Sequence, residues 1–223
     1  MEIKIVGVCG SPIEGGNTES FLKESLKAAE KSVGVRTELI SLAAKEIRDC
    51  RQCNWCVAKQ TESRFCSQDD DMEEIYPKIL QADALLLASP VYFNRLSGYS
   101  ACFLDRLRVF VHGRVYGGKL RNKVGGALSV GWFRSSGTET TLISILLGFI
   151  VLEMIPIALG QGRGAAGGLA SEHGTGKFDS KDKLGVLKDE YGLQGARSLG
   201  QRIVEVATLI KAGETNAPNE LPS

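Results

Sequence analysis

Ile3-Lys4-Ile5-Val6-Gly7-Val8-Cys9 leads straight into Gly10-Ser11-Pro12-Ile13-Glu14-Gly15-Gly16-Asn17-Thr18. The first seven residues are a short apolar, β-branched run, the pattern of a strand buried on both faces of a parallel sheet. After the turn, apolar residues at Phe21, Leu22, Leu26, Ala28 and Ala29 recur at helical spacing over residues 18–32. In an open parallel sheet, ligands bind beyond the carboxyl ends of the strands. A glycine-rich turn that opens a helix aims backbone N–H groups and the positive end of the helix dipole at one spot, which suits a phosphate. Ser11, Asn17 and Thr18 add side-chain donors. The plainer alternative is an ordinary turn with Asn17 or Thr18 as helix cap. A nucleoside-triphosphate loop needs a Lys after its second glycine. Gly10 and Gly15 have that separation, but Gly16 stands where the Lys belongs, and residues 10–18 contain no Lys or Arg. A single phosphate held by neutral donors, as in a flavin mononucleotide site, fits better.

Outward from this stretch, strand and helix alternate. Residues 35–40, 84–88, 124–130 and 155–159 read as further strands; 70–80, 97–110, 138–153 and 193–210 read as helices. Asp69, Asp70 or Asp71 would cap the second helix, with Glu73 and Glu74 in its first turn. Residues 142–159 are apolar enough to raise the question of a membrane span. Glu153, Pro156 and the lack of basic flanks argue instead for a buried helix running into a buried strand. Five strands alternating with helices predict an α/β doubly wound parallel sheet, in a single domain over residues 1–212 with a frayed polar tail, 213–223. The chain has 223 residues with 27 Lys and Arg against 26 Asp and Glu. A net charge of +1 offers no basic excess for a nucleic-acid backbone. The N-terminus lacks the pattern of a secretory signal, so a soluble, cytoplasmic protein bound to no membrane is expected.

Residues 48–68 break the rhythm and hold four of the six cysteines, Cys50-x2-Cys53-x2-Cys56-x9-Cys66. In a cytoplasmic protein, structural disulfides are disfavoured. Three cysteines at this spacing cannot all point one way from a helix or strand, but a wrapped loop can aim them at one centre. Four thiolates fit a [4Fe–4S] cluster or a structural zinc, and free thiols are the remaining alternative. Arg48, Arg51 and Arg64 lie among them, where guanidinium groups would balance a negative cluster. Cys9 and Cys102 sit in apolar runs and read as packing residues.

Residues 160–176 also break the rhythm, with seven glycines. Within them, residues 162–167 match the GxGxxG dinucleotide fingerprint, with Asp182 about twenty residues on. No apolar helix follows, so the match is read as fortuitous and the segment as a loop over the ligand site or at a subunit contact. His112 and His173 lie in no ligand or triad pattern, and no GxSxG elbow supports a hydrolase.

GSPIEGGNTES after the first strand, DCRQCNWC, DDM, ADALLLASPVYFNRLSGYSACFLDR, residues 119–126 and 137–142, and Leu199-Gly200-Gln201-Arg202 occur in this order. As an ordered set they resemble the NADPH-dependent FMN reductase family of flavodoxin-like proteins, and the cysteine set resembles its iron–sulfur flavoprotein branch. The resemblance implies a flavodoxin-like sheet of strand order 2-1-3-4-5 with an inserted cysteine-rich loop. It implies FMN phosphate binding by Ser11, Ile13, Gly16, Asn17 and Thr18, although the family often has Arg where this chain has Ile13. It lays Pro90, Val91, Tyr92, Phe93 and Asn94 along the flavin ring. It closes Gly131, Trp132 and Arg134 over the site, and it assigns Cys50, Cys53, Cys56 and Cys66 to a [4Fe–4S] cluster, though the gap before Cys66 is longer than is usual in the branch. The residues agree independently: SPVYFN follows a buried strand onto the same edge as the first loop, with Pro90 expected to end that strand.

The implied function is an FMN- and [4Fe–4S]-containing oxidoreductase passing electrons from ferredoxin or NAD(P)H to a small-molecule or protein acceptor, as a homodimer or homotetramer. Three alternatives stay open: an NAD(P)H-dependent FMN or quinone reductase without a cluster, an FMN-dependent dehydrogenase of a small biosynthetic substrate, and a non-catalytic electron carrier.

Overall fold

The structure, a computed structural model, describes residues 1–157, 159, 166–177, 180–181 and 183–216. In chain order its elements are β1 (Ile3–Cys9), α1 (Asn17–Glu30), β2 (Val35–Ser41), α2 (Trp55–Lys59), α3 (Met72–Gln81), β3 (Ala84–Tyr92), β4 (Arg95–Leu96), α4 (Gly98–Arg106), β5 (Val124–Gly131), α5 (Thr138–Val151), β6 (Ile155–Pro156), β7 (Gly167–Leu169) and α6 (Glu190–Asn216). Short 3₁₀ turns follow α4 at Leu107–Phe110 and precede α6 at Gly185–Lys188.

The parallel path runs β2-β1-β3-β5-β6, the expected 2-1-3-4-5 order once the two-residue hairpin partner β4 is set aside. Alternation along the inner strands sends side chains to two separate cores. Val6, Val8, Leu85 and Leu87 face α3, α4 and α5. Ile3, Ile5, Cys9, Leu86 and Ala88 face α1 and α6. Burial on both faces explains why these strands read as unbroken apolar runs.

Four expectations are corrected. Pro90 does not end β3. The strand runs on to Tyr92, pairs with β5 through Pro90 and Val130, and folds back onto β4. Gly10 N donates to Ala88 O at 2.8 Å, so residues of that parity turn their polar groups towards β1. β1 has ended by the level of Pro90, so the missing N–H costs no ladder bond. Second, α5 is not buried all round: Ile143, Leu147, Ile150 and Val151 are each more than half exposed on its outer face. Third, the edge beside β5 is shared. β6 pairs with its beginning and β7 with its end, so residue 167 opens a strand and not the helix a dinucleotide fingerprint requires. Residues 160–165 and Asp182 lie outside the described residues, as does residue 158 of the expected fifth strand. Fourth, α6 continues through Asn216, past the expected end of the last helix; residues 217–223 of the expected tail lie outside the described residues. Among the described residues no helix is long and apolar enough to cross a membrane.

The aspartates before α3 do more than cap it. Asp71 takes the N-cap position, but its carboxylate accepts from Glu46 N at 2.6 Å. Asp70, its side chain fully buried, holds Arg106 in a two-pronged pair at 2.5 and 3.0 Å and accepts from Met72 N. This ties the last turn of α4 to the segment that carries the cysteines. Burial alone pushes the Asp70 carboxyl up, but Arg106 and the Arg48 and Met72 amides outweigh it and hold it below its ordinary 3.8. The stabilisation is therefore complete above that value and fades as pH falls through the lowered one. Asp70→Asn should cost about 3–5 kcal/mol at neutral pH, the range for orphaning one member of a buried pair. In urea titrations the gap to wild type should narrow only as the pH drops below 3.8.

Candidate functional site

Because β1, β3 and β5 are neighbours, the loops that leave their carboxyl ends lie side by side. The first is fixed from below. Ser97 Oγ donates to Gly10 O at 2.5 Å and accepts from Ser100 N at 3.1 Å, capping α4. A Cβ on Gly10 would lie 1.8 Å from Ser100 Oγ, so only glycine lets α4 approach this closely. The N-cap of α1 is Gly16, with no side-chain cap bond, so neither Asn17 nor Thr18 caps the helix as the plainer alternative had it. The first bond to the α1 turn is Ser20 N to Gly16 O, which leaves the amides of residues 17–19 as the helix's unpaired N-terminal donors. An anion there is favoured by about 0.3–1 kcal/mol at an exposed helix end, and by more when partly buried.

The side chains divide unevenly. Ser11 is buried and its oxygen accepts from Ile13 N at 3.1 Å, so its proton stays free to donate. Thr18 is buried as well. Asn17 is already engaged: Nδ2 donates to Lys183 O at 2.9 Å and Oδ1 accepts from Val186 N at 3.0 Å. It bridges the loop to the entry of α6 and keeps one Nδ2 hydrogen spare. Ile13 faces solvent. Glu19, a carboxylate that sequence reasoning passed over, is buried under the loop, where Gly15 N and Lys23 bind it. Burial raises its pKa, but these partners outweigh burial and keep it low.

At the second loop, Phe93 and Asn94 both have positive φ, at 50° and 57°. That pair makes a tight two-residue hairpin turn between β3 and β4. Phe93 is 98% exposed at its tip. The tip rests on α5, with Thr140 Oγ1 donating to Asn94 O at 2.6 Å. Pro90 and Val91 are half-buried, and Tyr92 stands partly exposed beside Phe93. At the third loop, Trp132 Nε1 donates to Gly176 O at 2.8 Å, Ser171 Oγ donates to Trp132 O at 2.5 Å, and Arg134 reaches His173 O at 3.3 Å. The described part of the glycine-rich segment thus braces Trp132 and Arg134 at this edge, next to Gly131 at the end of β5.

The cysteine segment occupies the flank under α3 and α4. Gln52 and Asn54 take left-handed φ, 49° and 58°, on either side of Cys53. These two reversals bend the segment around one cavity, with Cys53 exposed, Cys50 half-buried and Cys56, on α2, buried. Left-handed backbone is costly for Gln and is kept only where surroundings enforce it, often at functional sites. Cys66 is set from the other side by buried Phe65, stacked between Tyr116 at 4.3 Å and Tyr76 at 5.1 Å. All four cysteines line one small cavity, together with Arg51, Gln68, Arg106 and Arg108. Among the described residues no three His, Cys, Asp or Glu side chains converge as ligands of a single ion.

The sequence profile of the NADPH-dependent FMN reductase family matches residues 3–162. The chain belongs to that family. An iron-sulfur flavoprotein of Methanocaldococcus jannaschii is 39% identical over 209 residues, covering 94% of this chain and 100% of the relative. An iron-sulfur flavoprotein of Methanosarcina thermophila is 37% identical, over 64% of this chain and 71% of that one. Among solved structures, RosB superposes with a TM-score of 0.70 at 17% identity, over 99% of this chain and 90% of its own. As a member of the FMN reductase family, the protein is a flavin-dependent oxidoreductase of flavodoxin-like fold.

In this member of the family, two cysteine-site residues escaped the sequence reading. Arg106 and Arg108 lie about forty residues beyond the motif, and only the fold brings them to it. Of the arginines the sequence pointed to, only Arg51 lines the cavity. Arg48 binds Asp69 O and neighbouring carboxylates, and Arg64 Nε donates to Cys66 O at 2.8 Å. The thiols differ among themselves. The Ser67 hydroxyl at 3.3 Å and the Trp55 amide hold the exposed Cys53 below the ordinary thiol range. Burial pushes Cys56 up, against the pull of Arg108. Cys9, buried in β1, is pushed up to about 11 by burial. In metal-free protein at pH 7.5 or so, where an ordinary thiol is mostly protonated, iodoacetamide should modify Cys53 first and Cys56 and Cys9 last. Peptide mass spectrometry over a time course reads the order, and equal rates at Cys53 and Cys56 would contradict this site geometry.

Proposed function

We propose that this protein carries FMN and a [4Fe–4S] cluster and passes electrons from ferredoxin or NAD(P)H to a small-molecule or protein acceptor. The observation that carries the proposal is the common cavity walled by Cys50, Cys53, Cys56 and Cys66 in a chain whose family is defined by FMN. The chemistry of the donor set agrees: four thiols wound about one cavity by strained backbone, with cationic side chains in the same wall. Relatives matched over most of their length are called iron-sulfur flavoproteins, which supports the same ligand set.

Bound FMN would exchange an electron pair or a hydride, and a bound cluster single electrons. The chain's part is to hold and orient. The amides of Asn17 and Thr18, with the Ser11 and Thr18 hydroxyls, would receive the phosphate with no cationic side chain in the loop, while Gly16, whose own amide donates to Ile13 O at 3.4 Å, would shape the turn that presents them. Ile13 contributes an apolar rim. Pro90, Val91, Tyr92, Phe93 and Asn94 offer backbone donors and two flat aromatic faces to the ring. Gly131 lets the third loop approach, while Trp132 and Arg134, braced by residues 171–176, would close the far side. The exposed apolar row of α5 supports assembly into a homodimer or homotetramer.

Protein purified without oxygen should contain FMN together with iron and acid-labile sulfide in equal amounts. Cys56→Ser should lose iron and sulfide and keep flavin. Thr18→Val should keep the iron and bind FMN about ten- to a hundredfold more weakly, the worth of one hydrogen bond to a charged group. Wild-type protein with flavin but no iron or sulfide would favour the reductase without a cluster.

A further inference from the structure

We propose that Arg106 acts directly on the cluster, donating a hydrogen bond from Nε–H to a cluster sulfur and raising the cluster's reduction potential. The inference rests on the reading that the four thiols hold a cluster. Arg106 is only 1% exposed and forms part of the wall of the cysteine cavity. Its two Nη groups are committed: Nη1 to Arg48 O at 2.9 Å and Asp70 Oδ2, Nη2 to Asp70 Oδ1 at 3.0 Å. Its Nε is buried and has no partner among the described residues. A buried donor left unpaired is rare in folded proteins and marks a partner that belongs there. The guanidinium cannot give up its proton, so Nε–H is a donor at every working pH.

Asp70 gives this donor its character. By gripping both Nη groups it fixes the guanidinium plane and offsets much of its charge. What Arg106 would offer a cluster is therefore a directed N–H and not a free cation. Hydrogen bonds to cluster sulfurs favour the reduced, more negative state and are among the levers that set the potential. The donor comes from α4 and not from the cysteine segment, so it arrives on a different element from all four ligands.

The experiment is pulsed electron paramagnetic resonance on the reduced holoprotein labelled with ¹⁵N-arginine. A ¹⁵N coupling to the cluster is expected. It should survive Arg108→Lys, which alters the neighbouring cavity arginine, and vanish in Arg106→Lys. The lysine keeps a cation against Asp70 but has no Nε. At the wild-type midpoint, the reduced-to-oxidised ratio of the Arg106→Lys cluster should fall about tenfold, equal to about 59 mV for one electron. A wild-type cluster of full iron and sulfide content with no arginine coupling overturns the proposal. So does an Arg106→Lys cluster of unchanged potential. Should that variant assemble no cluster, the wild-type coupling decides alone. Wild-type protein devoid of iron and sulfide overturns the underlying cluster reading, a failure distinct from the other two.

Discussion

Strand β1 hydrogen-bonds on both sides, to β2 along its whole length and to β3 from Ile5 to Cys9, and the bond from Gly10 N to Ala88 O carries that pairing one residue into the loop. The rest of the candidate flavin site depends on this. The parallel register brings the end of β1 level with Ala88, two residues before Pro90. It therefore sets the phosphate-type turn beside the SPVYFN hairpin through backbone pairing. Ser97 locks the arrangement by bonding Gly10 O while it caps α4. One serine thus joins the floor of the first loop to the helix that leads on to Arg106.

The second site is built by a different means. No sheet edge presents the cysteines. Their segment has little secondary structure and is held by long-range polar anchors. Buried Gln60 binds Phe65 O and accepts from Val115 N and Tyr116 N. Asp70 joins Arg106 to the start of α3, and Phe65 fills the aromatic stack behind Cys66. Removing any of these would loosen a loop that has few backbone bonds of its own. The left-handed residues Gln52 and Asn54 are tolerable in that setting because side-chain anchors supply what local propensity withholds.

The two sites lie on different parts of the fold, yet they are linked through α4. Its N-terminus caps against the phosphate-type loop, and its C-terminal turn supplies Arg106 to the cysteine cavity. A larger cleft of about 610 Å³ borders the second site, shares Cys50 and Arg108 with it, and reaches Gly148 and Val151 of α5. The exposed apolar row of α5 therefore lies near the cysteine end of the molecule, where covering it would also limit water at Cys50.

Much of this was legible in the residues themselves. Apolar runs with β-branched residues declared the buried strands, because a parallel strand covered on both faces has no polar side to show. The glycine-rich turn and the three x2-spaced cysteines were equally plain, since each pattern reflects a local constraint on backbone or thiol geometry. Other features depended on partners far away in sequence. Asp70 looks like a helix cap until Arg106 is brought beside it. Asn17 looks like a free donor until residues 183–186 take its carboxamide. Pro90 looks like a strand terminator until β1 is seen to end before it, leaving no bond for the proline to forfeit. Sequence by itself determined the strand and helix periodicity, the loop chemistry and the identity of the thiols, which follow from neighbours a few residues apart. Tertiary structure alone decided which charged groups face those thiols and which donors remain unpaired, because burial and pairing across some thirty to a hundred and seventy residues are properties of packing and leave no periodic trace in the chain.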